Sequence, residues 1–275
     1  MNQVIPKVSV IIPTYNAEKT IERAVHSIQA QTYESLEIIC CDDYSTDNTV
    51  AILKHLLADD PRITVLTNEE NRKAAYTRNR CIAAATGVYI TQLDDDDYAA
   101  PERIEKQVIF LEQHPQYAFV GSSCYLFDEN GVWGERQTRK ECPVKQDFLW
   151  SSCFLNSSVT FRKEALETVG GYRISSTTVR SQDYDLYMRL YTNGFIGCNM
   201  TEKLLYYYRG KNSISKCKYK HRINEAKIRY YNYKRMGLLP KGFLFVIKPL
   251  VVGLIPFRML EAVKRVGWKT KHKSG

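Results

Sequence analysis

The sequence predicts an α/β protein built on a mostly parallel sheet, and three observations carry that prediction. Short β-rich runs alternate with apolar patterns of helical period over residues 8–93, the order that links parallel strands through crossover helices. Thr14-Tyr15-Asn16, Asp42-Asp43 and the run Asp94-Asp95-Asp96-Asp97 each follow a strand, which places them at the carboxyl edge where open parallel sheets bind ligands. The four adjacent aspartates repel one another, by about 1 kcal/mol for two charges ~4 Å apart even in water. That repulsion is relieved by a cation among them, and a divalent metal holding a phosphorylated ligand fits.

Each element follows from local pattern. Val8-Ser9-Val10-Ile11-Ile12, closed by Pro13, reads as a buried strand. Ile21, Ala24, Val25 and Ile28 give residues 17–30 a helical face. Leu36 to Cys41 is a second strand, and Asp47 to Leu57 a helix with Ser45, Thr46 or Asp47 available as its cap. Ile63 to Leu66 is a third strand, Asn71 to Ala85 a helix ended near Gly87, and Val88 to Leu93 a fourth strand. Pro101 to His114 reads as a helix with proline near its start. Tyr117 to Gly121 and Cys124 to Phe127 are expected as two short strands before a turn at Asp128 to Gly131. A strand at Val159 to Phe161, a helix from Arg162 to Val169 stopped by Gly170-Gly171, a helix at Gln182 to Thr192 and a strand at Leu204 to Tyr208 complete the body.

Composition sets the class. The chain has 275 residues, 44% hydrophobic and 25% charged, ordinary for a globular protein. Met1 to Lys7 is polar and the apolar run that follows is short, so no cleavable signal peptide is expected. Eight cysteines without a C-x-x-C pair are expected as reduced, buried thiols, with Cys40 and Cys41 on opposite faces of their strand.

The side-chain period of two puts Asp94 and Asp96 on one side of an extended backbone and Asp95 and Asp97 on the other. A D-x-D pair can hold a metal and leave room for phosphate oxygens. A calcium EF-hand loop is excluded, because Tyr98 and Ala99 stand where that loop wants Asp/Asn and then Gly. Read singly, other residues allow plainer roles. Tyr15 could be a turn aromatic, Asp43 a cap for the next helix, and Arg78 a surface partner of Glu69 or Glu70. Asp183 could be a helix N-cap, and Asp185 with Arg189 an i, i+4 surface pair.

Together the motifs are specific. Val8 to Asn16, Asp42-Asp43-Tyr44-Ser45-Thr46-Asp47, Ala75-Tyr76-Thr77-Arg78-Asn79, Leu93 to Asp97 and Ser181 to Leu186 resemble, in order and spacing, the inverting nucleotide-sugar glycosyltransferases of family 2. The resemblance covers roughly residues 6–215. It implies the GT-A fold, a Rossmann-like mixed and mostly parallel sheet flanked by helices. Residues 1–100 would form the nucleotide-sugar-binding half and 101–215 the acceptor-binding half of one domain. The implied donor is a nucleoside-diphosphate sugar, with a UDP-sugar favoured and Mg²⁺ or Mn²⁺ as the metal. Tyr15 would stack on the base, with Pro13 and Thr14 shaping that pocket. Asp43 would accept the imide N–H, and Asp42 would line the same pocket. Arg78 would lie near the diphosphate. Asp94 and Asp96 would serve the metal and donor sugar, with Asp97 close by and Asp95 a solvated bystander of the same donor cluster. Asp183 would be the general base. Where many relatives carry a His after the tyrosine-rich strand, this chain has Gly210-Lys211-Asn212; Lys211 cannot bind a metal but can meet diphosphate. Gln182 replaces a frequent Glu before the base. A processive Q-x-x-R-W motif is absent, so one sugar per acceptor is expected.

The tail differs from the body. Residues 211–275 hold 17 Lys/Arg against two acids, Glu225 and Glu261, in a chain of net charge +9. Tyr219 to Arg235 reads as a basic helix with tyrosines. Phe243 to Phe257 is apolar but shorter than the ~20 residues a spanning helix needs, and Lys248 and two prolines interrupt it. Residues 216–275 are thus expected as a basic amphipathic tail lying on an anionic leaflet, or packed on the body. No nucleic-acid signature accompanies the tail, so no nucleic-acid partner is expected. The combined expectation is an enzyme peripheral to the cytoplasmic membrane face, glycosylating a lipid-linked glycan for a surface polysaccharide of capsule or O-antigen type. A sugar nucleotidyltransferase would want a G-x-G-T-R-type loop where Pro13-Thr14-Tyr15-Asn16 stands. A non-enzymatic membrane or nucleic-acid binding module would leave the aspartates and Asp183 unused.

Overall fold

The structure, a computed structural model, describes residues 5–210 and 218–255. Strands β1 (Val8–Thr14), β2 (Leu36–Asp42), β3 (Ile63–Thr67) and β4 (Tyr89–Gln92) form the parallel half of one sheet. Helices α1 (Ile21–Gln29), α2 (Thr49–Asp59) and α3 (Lys73–Ala84) connect them. β1 lies between β2 and β4, so both its edges are paired, and helix layers cover both its faces, so its apolar run is continuous. Val8, Val10 and Ile12 join the core layer under α1 and α2, while Ile11 joins the opposite layer under α3. Cys40 and Cys41 divide between the same two layers, as their spacing predicts. All seven described cysteines are free, and Cys142 among them is exposed rather than buried.

The second half mixes directions. After β5 (Tyr98–Ala99) and α4 (Arg103–Gln113) come β6 (Tyr117–Asp128), β7 (Gly131–Arg136), β8 (Thr160–Arg162), α5 (Lys163–Thr168), α6 (Gln182–Thr192) and β9 (Ile196–Tyr208). The sheet order is β3-β2-β1-β4-β8-β6-β9-β5, with β7 on β6. The two short strands expected around residue 122 are one strand of 12 residues. Gly121, Ser122 and Ser123 broke the apolar pattern but stay in the ladder through irregular pairing with β9.

Helices α7 (Tyr219–Arg235) and α8 (Phe243–Leu254) follow. The basic helix is docked rather than free. Asn232, 1% exposed, donates to Asp185 Oδ1 at 3.0 Å, and Arg229, 3% exposed, donates to Leu149 O at 2.8 Å. α8 continues through Pro249, which has no N–H for the carbonyl of Phe245. That carbonyl accepts from Arg229 Nη1 at 3.4 Å instead, so α7 supplies what the proline removes. No helix among the described residues is long and apolar enough to cross a membrane.

Candidate active site

The strand order turns back at β1, which pairs with β2 on one side and β4 on the other. Such a switch point leaves a crevice at the carboxyl edge. Here the crevice is a cleft of about 350 Å³. Pro13, Thr14 and Tyr15 line it after β1, Asp43 after β2, and Asp94, Asp95 and Asp96 after β4. The first two turns of α3 supply Lys73, Ala74, Thr77 and Arg78. Most of the sequence-expected residues therefore converge. Lys211 lies outside the described residues.

Backbone strain collects in the same loops. Among the described residues, four non-glycine positions have left-handed φ: Asn16 (49°), Tyr44 (67°), Lys73 (69°) and Arg180 (68°). Lys73 lines the cleft, Asn16 and Tyr44 directly follow the lining residues Tyr15 and Asp43, and Arg180 leads into α6. Each such residue costs about 1–3 kcal/mol and persists where surrounding contacts demand it.

The aspartates divide their work. Asp94 Oδ1 accepts from Arg78 Nη2 at 2.8 Å, and its own N–H donates to Ser157 Oγ at 2.9 Å. Asp95 is no bystander: its Oδ2 accepts the Tyr15 N–H at 2.9 Å and so fixes the aromatic loop. Burial, then repulsion from Asp96 and Asp94, pushes its pKa up to about 7. Burial, then Asp94, raises Asp96 to about 6. Asp97 is fully buried and accepts the Tyr208 N–H at 2.8 Å. It ties the end of β9 to the aspartate loop instead of lining the cleft, and burial with Asp94 and Asp96 raises its pKa.

Asp42 and Asp43 also separate. Asp42 turns to its own loop and accepts the Ser45 N–H at 2.9 Å, so it does not line the cleft. Asp43 does line it. Its Oδ1 accepts from Asn68 Nδ2 and Arg72 N–H, each at 2.7 Å, and its Oδ2 accepts Lys73 N–H at 2.8 Å. It thus caps α3, not the helix that directly follows it.

Arg78 pairs with Asp94, not with Glu69 or Glu70; Glu70 takes Arg72 instead. Arg78 is 8% exposed and its guanidinium lies 5.4 Å from the Tyr172 ring centroid. Burial opposes its charge most strongly, but Asp94, Tyr172 and Asp183 together outweigh burial and the pKa rises. Asp183 sits in the first turn of α6, behind the N-cap Ser181. Burial raises its carboxyl pKa, while the Tyr184 N–H and the charge of Arg78 pull the other way. The charge of Arg78 thus acts on Asp183 as well as on Asp94, although Asp183 does not itself line the cleft. The Asp185–Arg189 pair forms at 2.8 Å, but Asp185 is fully buried and also takes Arg173, so it is a core pair rather than a surface one.

Sequence reasoning missed the floor beneath these groups. The Tyr172 hydroxyl lies 2.9 Å from both Gln92 Oε1 and Asn156 Oδ1, and Tyr187 donates to Asn156 Oδ1 at 3.2 Å. Asn79 clamps the loop carrying Tyr172, donating to Tyr172 O at 2.7 Å and accepting its N–H at 2.8 Å. A Cβ on Gly171 would stand 2.6 Å from Asn79 Oδ1, so the clamp needs glycine there. Lys73, Ala74, Thr77 and Arg78 were readable as one face of a helix; Tyr172 and Asn156 had no local signal.

Among the described residues no three ligating side chains gather into a closed metal site. Asp94 and Asp96 in the cleft wall instead fit a cation shared with a phosphorylated ligand, the way Mg²⁺ is usually held. The raised pKa of Asp96 fits too: burial is its main cause and Asp94 the next, and a cation beside both carboxylates would offset the two.

An α/β cleft at a switch point, with paired aspartates, a buried arginine and a helix-borne carboxylate, defines a protein class that handles nucleotide-linked substrates. Comparison with known proteins makes the class definite. The family model described as "Glycosyl transferase family 2" matches residues 9–170. EpsE of Bacillus subtilis (strain 168), whose name places it among the glycosyltransferases, is 36% identical over 257 residues, 93% of this chain and 92% of its own. The Escherichia coli UDP-Glc:alpha-D-GlcNAc-diphosphoundecaprenol beta-1,3-glucosyltransferase WfaP is 31% identical, covering 80% of this chain and 84% of its own. S. aureus TarS 1–349 in complex with UDP-GlcNAc superposes with a TM-score of 0.69 at 18% identity, over 88% of this chain and 72% of that one. The mannosyltransferase PcManGT from Pyrobaculum calidifontis, in complex with GDP-Man and Mn²⁺, gives 0.61 at 19% identity, over 98% and 81%. The chain belongs to glycosyl transferase family 2 and is a glycosyltransferase of the GT-A fold.

Proposed function

We propose that this glycosyltransferase moves one sugar from a UDP-sugar to a hydroxyl of a lipid-linked glycan, by a single inverting displacement, in surface polysaccharide biosynthesis. The observation that carries the mechanism is the cleft that gathers Tyr15, Asp43, Arg78, Asp94 and Asp96, with Arg78 bonded to Asp94 and its charge also acting on Asp183 in the first turn of α6. Tyr15, 47% exposed at the cleft rim, offers a free ring face for the base. Asp43 accepts the base N–H. Arg78 orients the diphosphate end. Asp183 takes the acceptor hydroxyl proton as the oxygen attacks the anomeric carbon, a step worth about 10²–10⁴-fold. Asp94 and Asp96 would hold a divalent cation, which would supply charge neutralisation to the leaving diphosphate.

The lipid-linked acceptor is supported by the names of WfaP and of a Campylobacter jejuni relative, GalNAc(5)-diNAcBac-PP-undecaprenol beta-1,3-glucosyltransferase, 32% identical over 59% of this chain. Incubation with a panel of nucleotide sugars and polyprenyl-diphosphate-linked sugars tests the reading. A product is expected with a UDP-sugar and Mg²⁺ or Mn²⁺, and no product with any donor would count against it.

The membrane reading of the C-terminal helices rests on α8. Leu244, Ile247, Val251 and Leu254 recur along its outer face, and Leu244 and Leu254 are 77% and 74% exposed. Exposed Lys227, Lys234 and Arg235 on α7 add positive charge nearby. Cosedimentation with anionic vesicles is expected, falling at least tenfold in a Leu244→Glu, Val251→Glu variant that keeps its melting temperature. Equal cosedimentation of both proteins would remove this part.

A further inference from the structure

The mouth of the cleft holds a lysine in an unfavourable backbone conformation. Lys73 opens α3 at φ 69°, a conformation glycine adopts freely and a residue with a Cβ does not. The backbone demand is clear, since the Lys73 N–H must reach Asp43 Oδ2 at 2.8 Å. Glycine would meet that demand better. What remains is the side chain, and the fold does not use it: among the described residues the exposed ammonium has no hydrogen-bond or ion-pair partner. Yet it borders the cleft beside Asp43 and Tyr15. Arg78, the other cation on the cleft wall, is committed to Asp94.

We propose that Lys73 is a specificity-determining residue that reads the base edge of the donor nucleotide, and this rests on the donor reading above. A carboxylate can only accept a hydrogen bond and an ammonium can only donate. Asp43 Oδ2 takes one N–H from Lys73 and keeps room for a second. An acceptor beside a donor complements a ring N–H beside a carbonyl. Uracil, thymine and guanine present that edge. Cytosine and adenine present the reverse, a ring nitrogen lone pair beside an amino group, which would set lone pair against carboxylate and amino group against ammonium. Sites built on such hydrogen bonds reject a mismatched partner strongly. Lys73 also sits at the opening end of α3, five residues before Arg78, so it stands at the Asp43 end of the cleft rather than at Asp94.

Calorimetric titration of UDP and CDP, with Mg²⁺ or Mn²⁺, into the full chain and two variants tests this. Lys73→Met keeps the strained backbone and most of the stem but removes the charge; Lys73→Gly removes charge and strain together. The intact protein is expected to prefer UDP over CDP by about a hundredfold or more. Both variants should bind UDP about tenfold more weakly and lose about tenfold of the preference, and Lys73→Gly alone should melt higher than the parent without ligand. If UDP and CDP weaken equally, the ammonium serves the phosphates and base reading is overturned. If both variants keep the parent's affinities, Lys73 has no role in donor binding although the donor reading stands. If the intact protein binds neither nucleotide with either metal, the donor reading falls and takes this inference with it.

Discussion

Replacing Asp183 with asparagine is expected to lower turnover by about 10²–10⁴-fold while leaving donor affinity within about twofold. Asparagine keeps the shape and the contact with the Tyr184 N–H but cannot take a proton at neutral pH. The pH profile gives a second readout. Burial raises the Asp183 carboxyl above its ordinary value, about 3.9 for an aspartate in water. The base must be ionised to act, so kcat falls as pH drops through that raised value, and the acidic limb lies above the usual carboxylate range. In Asp183→Asn the residual rate should lose that limb. A variant that kept parental kcat would mean another group takes the proton.

Removal of Arg78 should have the second-largest effect. Arg78→Met retains bulk against the Tyr172 ring but leaves Asp94 without its partner at 2.8 Å. Breaking a buried ion pair from one side costs about 3–5 kcal/mol; Asp94 keeps some solvent access, so about 2–3 kcal/mol is expected. Chemical denaturation would measure it, and Asp94→Asn added to Arg78→Met should recover part of the loss, because the stranded charge is gone. Arg78 also holds the Asp183 pKa down, so Arg78→Met should shift the acidic limb of any residual activity to higher pH. A shift to lower pH, or none, would mean that Arg78 does not couple the two carboxylates.

Much of this site was legible in the chain because strand ends are local features. Pro13-Thr14-Tyr15, Asp43 and Asp94 to Asp96 each follow a strand whose β-rich run marks its own end, and parallel order then brings them together. The helices Gln182–Thr192 and Tyr219–Arg235 were legible to the residue, since neither contains a glycine or proline to interrupt it. The partners of the polar groups were not legible. Arg78 was open to a surface reading because Glu69 and Glu70 are near in sequence, whereas Asp94 is brought to it by the pairing of β4 with β1. Asp95 was read as solvated because periodicity cannot show that the Tyr15 backbone bends to meet it. The strand β7 is exposed along nearly its whole length and carries no buried alternation to find. Pro249 argued against a spanning helix, and its place within α8 leaves the Phe245 carbonyl to accept from Arg229, a tertiary partner that local sequence does not show.

The stereochemistry of transfer is the most direct readout of a single displacement with one carboxylate base. Proton nuclear magnetic resonance of the glycoside formed from an α-linked UDP-sugar would read the new anomeric configuration from the coupling of its anomeric proton. A β linkage is predicted, because one carboxylate base and one in-line attack invert the anomeric carbon. An α linkage would contradict it, since retention requires a second displacement or a front-face path that Asp183 as base does not provide.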